Sequence, residues 1–420
     1  VIRRSTAALL LLGALLVLAG CGSKSDHGGT IIYSSSIGDT ASRPSFDLYA
    51  AAADGSSNRR LTNTPNRCEE NPVLTRDQRS FYFYSGPCLH GKGPFELWRM
   101  DIDGSNARRI PIGAGVAPFP SPDGIHILVV DRKGALWLRR LDEHRPSASP
   151  RDGGKRFELP RSASIDPIGP ILWSPDGTRF VFAVDLRDST PLFVLDLQTL
   201  EVSRLTSPPE TRIKDGTPVM YRDVFPVFSP DDRYLAYARM GPGTDISGVR
   251  LMDTRTGHTI ELPLGSEKEL LMPGGGGVPW FFSSDGTTLV YRLVDQVGYS
   301  NRTIAIGVYS LLRHEQRVID IPRSWYNPRS WYERHNPRSV LLTATSPDHT
   351  RALVVKFPKS GTFLTATDLC GRRLTRLGKL RAYPDLNPNL HFGPLAVWAQ
   401  PGASSSSRPS GNCELTRLLG

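Results

Sequence analysis

An all-β chain folded as a single β-propeller is what this sequence predicts, and three observations carry the prediction. First, a Ser-Pro-Asp-Gly-like tetrapeptide returns at Thr75-Arg76-Asp77-Gln78 (degenerate), Ser121-Pro122-Asp123-Gly124, Ser174-Pro175-Asp176-Gly177, Ser229-Pro230-Asp231-Asp232, Ser283-Ser284-Asp285-Gly286 and Ser346-Pro347-Asp348-His349. The spacings from Asp to Asp are 46, 53, 55, 54 and 63 residues, so one supersecondary unit is repeated with variable connections. Second, short apolar runs rich in β-branched and aromatic residues follow the copies. Third, an X-Pro pair precedes most of them. The 39 Gly and 35 Pro among 420 residues are too many for a helical bundle, and they lack the Gly-X-Y period of collagen.

Each part of the unit has a physical reason. In the tetrapeptide, Pro presets φ for the first turn position, Asp bonds back to its own backbone, and Gly accepts the positive φ from which the second strand starts. The runs Ile125–Val130, Phe180–Val184 and Tyr234–Ala238 are too short for helices and are continuous in apolar character, which predicts buried strands. Third strands follow at Leu48-Tyr49, Leu97–Met100, Leu136–Leu138, Leu192–Leu195 and Val249–Met252. They close in turns such as Asp54-Gly55-Ser56 and Asp103-Gly104-Ser105, and a more polar fourth strand ends near Leu61-Thr62 or Leu205-Thr206. The pairs Asn71-Pro72, Ala117-Pro118, Gly169-Pro170, Phe225-Pro226 and Val278-Pro279 predict proline at the start of each first strand, an edge position where its missing N–H is tolerated.

One small sheet cannot bury two apolar faces alone, so such units pack face to face around an axis. Counting first strands gives seven four-stranded blades, or six if one unit is not a true blade. Residues Thr30–Ser35, Phe46–Ala53 and Asn58–Thr62 lack a first strand, and Gly393–Trp398 supplies a strand without a following tetrapeptide. The C-terminal strand is therefore expected to complete the N-terminal blade and lock the ring.

The first residues read as an address. Arg3 and Arg4 precede an apolar stretch from Ala7 to Ala19, too short for a comfortable membrane span and ending in small residues, as in a secretion signal. The expected organisation is a signal over 1–20, a small polar tether over 21–29, the propeller over 30–399 and a Ser- and Pro-containing tail over 400–420. Leu18-Ala19-Gly20-Cys21 resembles the lipobox of bacterial lipoproteins, which implies that Cys21 becomes the lipidated first residue and anchors the chain to a membrane. Of the five cysteines, four then remain, which allows two bridges in an oxidising compartment. Cys68 and Cys88 flank one predicted hairpin and are the expected pair, leaving Cys370 and Cys413 as a second.

The order of tetrapeptide, apolar strand, aromatic-rich strand, Asp-Gly turn and Leu-Thr end resembles the TolB-type propeller repeat, also found in the propellers of prolyl oligopeptidase relatives. Asn58 to Asn71 carries the resemblance most fully, and it extends over roughly Thr30 to Ala399. It implies a periplasmic or surface-facing interaction module with partners in the cell envelope, and the additional N-terminal α/β domain of the TolB pattern has no place between tether and first strand.

No Gly-x-Ser-x-Gly elbow occurs, so the hydrolase domain of the peptidase relatives is not expected. The glycine run Gly274–Gly277 is not followed by Lys-Ser/Thr and reads as a connection between blades. The recurrent aspartates read as turn residues rather than an acid or metal set, no CxxC or His cluster has metal-ligand spacing, and no cofactor is expected. The formal charge of +10 is mostly Arg without a basic run, and together with export this excludes nucleic acid as a partner.

One segment stands apart: Pro-Arg-Ser-Trp-Tyr occurs at Pro322–Tyr326 and again at Pro328–Tyr332, in the longest connection between units. Arg323, Trp325, Tyr326, Arg329, Trp331 and Tyr332 are residue types enriched at binding hot spots and able to stack on sugars. The sequence thus points to a lipid-anchored, non-enzymatic propeller that binds an envelope protein or a peptidoglycan or other glycan partner. The alternative is a propeller glycan hydrolase or lyase with its site at the channel mouth.

Overall fold

The computed structural model describes residues 29–399 apart from 36–45, 66, 88–94, 113–116, 132–134, 142–153, 160–163, 166–170, 187, 213–215, 217, 242–245, 263–279, 284–285, 298–299, 321–339, 346–350, 357–361, 369–373 and 381–395. Among the described residues, seven sheets with four-stranded antiparallel cores follow one another, each forming a blade. The first combines Ala396–Ala399 with Thr30–Ser35, Asp47–Ala52 and Asn58–Arg60. The second is Arg67–Leu74, Ser80–Pro87, Glu96–Asp101 and Arg108–Ile110. The third is Ala117–Pro120, His126–Val130, Leu136–Arg140 and Lys155–Phe157. The fourth is Ile171–Trp173, Arg179–Asp185, Leu192–Asp196 and Glu201–Arg204. The fifth is Tyr221–Phe228, Tyr234–Met240, Ile246–Asp253 and Thr259–Leu262. The sixth is Trp280–Phe282, Thr288–Val297, Ser300–Ser310 and Glu315–Asp320, and the seventh Val340–Thr345, Arg351–Lys356, Thr362–Asp368 and Leu374–Leu380.

The tetrapeptide builds the same turn in every described copy. Ser121 Oγ donates to Asp123 and also receives the His126 N–H at 2.9 Å, while the amide of Gly124 reaches the Ser121 carbonyl at 2.9 Å. Ser174 with Asp176 and Ser229 with Asp231 repeat the pattern, and Gly124, Gly177 and Gly286 take φ of 72°, 74° and 71°. The degenerate copy keeps it too, with Thr75 Oγ1 donating to Asp77 at 2.6 Å and Gln78 at φ 56°. The Ser346 copy lies outside the described residues.

Burial on both faces explains why the second strands are apolar without alternation. Phe81 and Phe83 pack toward the first blade with Ile32 and Leu48, whereas Tyr82, between them, packs toward the third with Ile127 and Val129. Phe180 and Phe182 join Leu128 and Leu136 of the third blade, and Val181 and Ala183 join Leu235 and Tyr237 of the fifth. Ala236 and Ala238 then meet Trp280, Leu289 and Tyr291 of the sixth. The Leu-Thr ends close the blades at the outer strand, since Thr62 and Thr206 each present a hydroxyl to the amide of the third strand's first leucine, Leu48 and Leu192, at 2.9 and 2.8 Å.

The ring closes as expected: Thr30 to Tyr33 pair antiparallel with Ala399 to Ala396. The prolines need a correction. Ala117-Pro118 opens its strand, and Gly169-Pro170 and Val278-Pro279 lie outside the described residues, but Asn71-Pro72 and Phe225-Pro226 lie inside eight-residue first strands. Each sits at a break in register, between Glu70 and Val73 or between Val224 and Val227, with Asn71 at φ 55° and Phe225 at φ 54°. A bulge takes proline out of the ladder as effectively as a strand end, and it lets those two strands run on past the proline.

Gly307 faces Tyr291 across the sixth blade, and a Cβ built there would lie 2.2 Å from the buried ring. Gly307→Ala is expected to lower stability by about 1–3 kcal/mol, the range for an overpacked core site, read as a fall in urea midpoint. Gly86→Ala, whose neighbour Phe95 is partly exposed and able to turn away, is expected to cost less.

Candidate binding face

The meander divides the ring into two faces. Starts of first strands, links between second and third strands, and connections between blades share one, called here the loop face. The tetrapeptide turns and the Asp-Gly turns share the other, the turn face.

On the loop face the two long first strands carry a buried acid at one equivalent position, three residues before the bulge proline: Glu69 before Pro72 and Asp223 before Pro226. The residue opposite in register decides how each is neutralised. Asp223 faces Arg239, which grips it with Nε on Oδ1 at 2.7 Å and a terminal nitrogen on Oδ2 at 2.8 Å, the two side chains 0% and 10% exposed. Burial works to lower the Arg239 pKa, but the hydrogen bonds and charge of Asp223 outweigh it and hold it above the ordinary value.

Glu69 faces Ser85 instead. It receives Thr62 Oγ1 at 2.7 Å, Ser85 Oγ at 3.3 Å and the Thr64 hydroxyl, with buried Asp47 beside it and Arg60 paired to Asp47. Burial raises the Glu69 pKa, the Thr64 and Thr62 hydroxyls oppose that, and the charge of Asp47 adds to it. Toward solvent, Arg67 bonds Ser85 Oγ at 2.9 Å and Glu96 at 2.8 Å, and Arg109 reaches Glu96 at 3.2 Å.

At the same two places backbone stitches join neighbouring blades. Phe46 N donates to the Arg67 carbonyl at 3.2 Å and Glu69 N to the Phe46 carbonyl at 2.8 Å. Ser189–Thr190 pairs in parallel with Tyr221–Arg222 at the entry to the fifth blade. Main-chain pairing at these two boundaries, beside buried charge, ties the entries of the second and fifth blades to the blades before them.

Of the residues singled out from sequence, Cys68 is disulfide-bonded at the start of the second blade, beside the Phe46 stitch. Cys21, Cys88, Cys370 and Cys413, and Arg323, Trp325, Tyr326, Arg329, Trp331 and Tyr332, lie outside the described residues. Asp77, Asp123, Asp176 and Asp231 each accept the bond of their own turn's hydroxyl, so their carboxylates serve the hairpins. Among the described residues no three His, Cys, Asp or Glu side chains group as a metal site, and no helix is long and apolar enough to cross a membrane. Glu69, Asp47 and the Asp223–Arg239 pair were not anticipated. The sequence signal for two of them is an acid three residues before the X-Pro proline, in Glu69-Glu70-Asn71-Pro72 and Asp223-Val224-Phe225-Pro226.

A ring of four-stranded meanders shut by pairing of its terminal strands defines the β-propeller class. No family model matches the chain. Over 143 residues it is 29% identical to the uncharacterized protein Atu1656 of Agrobacterium fabrum, covering 33% of this chain and 46% of that protein. Over 140 residues it is 28% identical to the Tol-Pal system protein TolB of an Anaeromyxobacter species (strain K), covering 32% of this chain and 29% of that one. The matched region thus spans less than half the length of these curated relatives. Among solved structures, the β-propeller domain of the Trilobed protease from Pyrococcus furiosus aligns with a TM-score of 0.51 at 11% identity, covering 85% of this chain and 96% of that one. The chain is a β-propeller, about a third of which is similar in sequence to TolB.

Proposed function

We propose that this chain is an exported, lipid-anchored propeller that binds an envelope protein at its loop face without catalysing a reaction on it. The observation that carries the reading is the fixed loop face, where two inter-blade stitches and the buried Asp223–Arg239 pair hold the entries to two blades in place. A rigid surface binds with little ordering cost, which suits a recognition module. Similarity to a Tol-Pal system protein favours an envelope partner over a soluble small molecule. In this reading Cys21 carries the lipid, and Cys68 pairs with Cys88, which directly follows the Pro87 that faces Arg67 in register. The twice-repeated Pro-Arg-Ser-Trp-Tyr segment joins the sixth blade to the seventh and supplies the aromatic and Arg anchors. A peptidoglycan or other glycan is the second class of partner that these side chains suit.

The test is capture from envelope extract on the mature protein, with a Trp325→Ala/Trp331→Ala double variant alongside and the captured species rebound in purified form. A partner held by the wild type and weakened at least about tenfold by the double substitution, as expected for two aromatic anchors, supports the site. Equal capture by both proteins removes the segment from the interface. Turnover of an envelope glycan by the purified chain would replace the binding reading with the enzymatic one.

A further inference from the structure

On the turn face, neighbouring tetrapeptide turns meet at two described junctions through a glycine of one turn that faces the aspartate of the turn before it. A Cβ on Gly177 would stand 3.2 Å from Asp123 Oδ2, and one on Gly286 would stand 3.3 Å from Asp231 Oδ1. In the fifth blade the glycine is replaced by Asp232, which keeps the left-handed backbone at φ 61°. Its carboxyl reaches back onto the turn of the fourth blade. Asp232 Oδ2 accepts the Asp176 N–H at 3.2 Å, while Oδ1 is sealed from solvent with no hydrogen-bond partner. The backbone there is pinned from both sides, since Arg179 of the fourth blade and Thr254 of the fifth each donate to the Asp232 carbonyl at 2.8 Å.

We propose that the junction between the fourth and fifth blades is a proton-operated latch: Asp232 takes one proton from solvent in mildly acidic medium, and the Asp176 turn then seats more tightly against its own.

The charged groups around Asp232 divide unevenly. Asp176 from the fourth blade and Asp231 from its own turn repel its ionised form, while Arg179 and the hydrogen bond from the Asp176 amide favour it. Arg179 is committed to the Asp232 carbonyl and lies over the Phe228 ring at 5.3 Å, and Arg233, next in the chain, is paired with Asp253 at 3.4 Å. Asp176 stays ionised: burial works against its charge, but Ser174 Oγ, the Thr178 amide and the Thr178 hydroxyl hold it below the ordinary value. The proton therefore goes to Asp232, whose carboxyl is pushed from 3.8 to about 6 by burial and then by the charge of Asp176. A carboxyl raised on folding favours the protonated native state, so the latch is strongest at and below pH 3.8 and weakens as pH rises through about 6. Gln78, the other described tetrapeptide residue in this position that is not glycine, brings no carboxylate and no such response.

The experiment uses the full chain. Urea midpoints are measured from about pH 4 to 8 for wild type, Asp232→Asn and Asp176→Asn, and the Asp176 amide is followed by NMR over the same range. The wild-type midpoint minus that of Asp232→Asn is expected to fall from about pH 4 and to level off above about pH 6. Removing the Asp176 charge is expected to move that levelling-off point down by about one pH unit, the size of a single close charge effect. The wild-type Asp176 amide is expected to shift with a midpoint near 6, a readout that does not depend on either variant folding. A flat difference curve, or an Asp176 amide that does not respond between pH 5 and 7, would overturn the latch.

Discussion

Arg239→Ala is expected to lower stability by about 3–5 kcal/mol, because it leaves the Asp223 carboxylate fully buried with no counter-charge. The pair costs desolvation to form, so its net contribution is smaller than the loss on breaking it. The consequence is a non-additive cycle. Asp223→Ala combined with Arg239→Ala is expected to recover at least about 1 kcal/mol relative to the sum of the single changes, read from urea unfolding of the four proteins. Additive losses would show that the two charges do not depend on each other. Because Asp223 lies next to Arg222, which pairs with Thr190, the single variant is also expected to loosen the parallel stitch and speed exchange of the amides there.

The second large effect concerns closure. Ending the chain before Ala396 removes the strand that pairs with Thr30 to Tyr33, and Ile31, Ile32 and Tyr33 are otherwise fully buried. The first blade then presents an open apolar edge, and the ring loses the constraint that makes its blades cooperate. A loss of roughly half the 5–15 kcal/mol typical of a domain is expected, with a shallower urea transition and association through the open edge in size-exclusion chromatography. With both chains reduced, so that the loss of Cys413 does not enter, ending the chain after Ala399 keeps the pairing and is expected to leave the transition unchanged. A peptide spanning Gly393–Ala399 added to the shorter chain is expected to restore the monomer, since the missing element acts through backbone pairing. A sharp, unshifted transition in the shorter chain would show that closure contributes little.

The fold was legible because its information is local. A hairpin turn needs particular residues within four positions, so Ser121, Asp123 and Gly124 announce themselves, and even Thr75-Arg76-Asp77-Gln78 keeps the hydroxyl and carboxylate that the turn uses. Continuous apolar runs at Phe81–Phe83 and Phe180–Val184 signal strands buried on both faces. The unpaired Thr30–Ser35 and the orphan C-terminal strand completed one another by count alone. What misled was position within an element: an X-Pro pair marks a place where no N–H is needed, and both a strand start and a bulge satisfy that condition. Only the pairing register separates Pro118 at its strand's start from Pro72 and Pro226 inside theirs.

The sequence by itself determined the unit, its repetition, the direction of every hairpin and the strand that shuts the ring, because each is set by backbone preferences and by the period of apolar residues. The tertiary structure decided what the polar residues do. Asp223 and Glu69 occupy equivalent positions, yet one is clasped by Arg239 and the other shares hydroxyls beside Asp47, and this difference arises from residues 16 positions along the chain that the sheet brings opposite. Asp232 reads as a minor variation of a turn until the ring sets it against Asp176, 56 residues away. Charge interactions act through space and depend on burial, and both are created only when the blades meet.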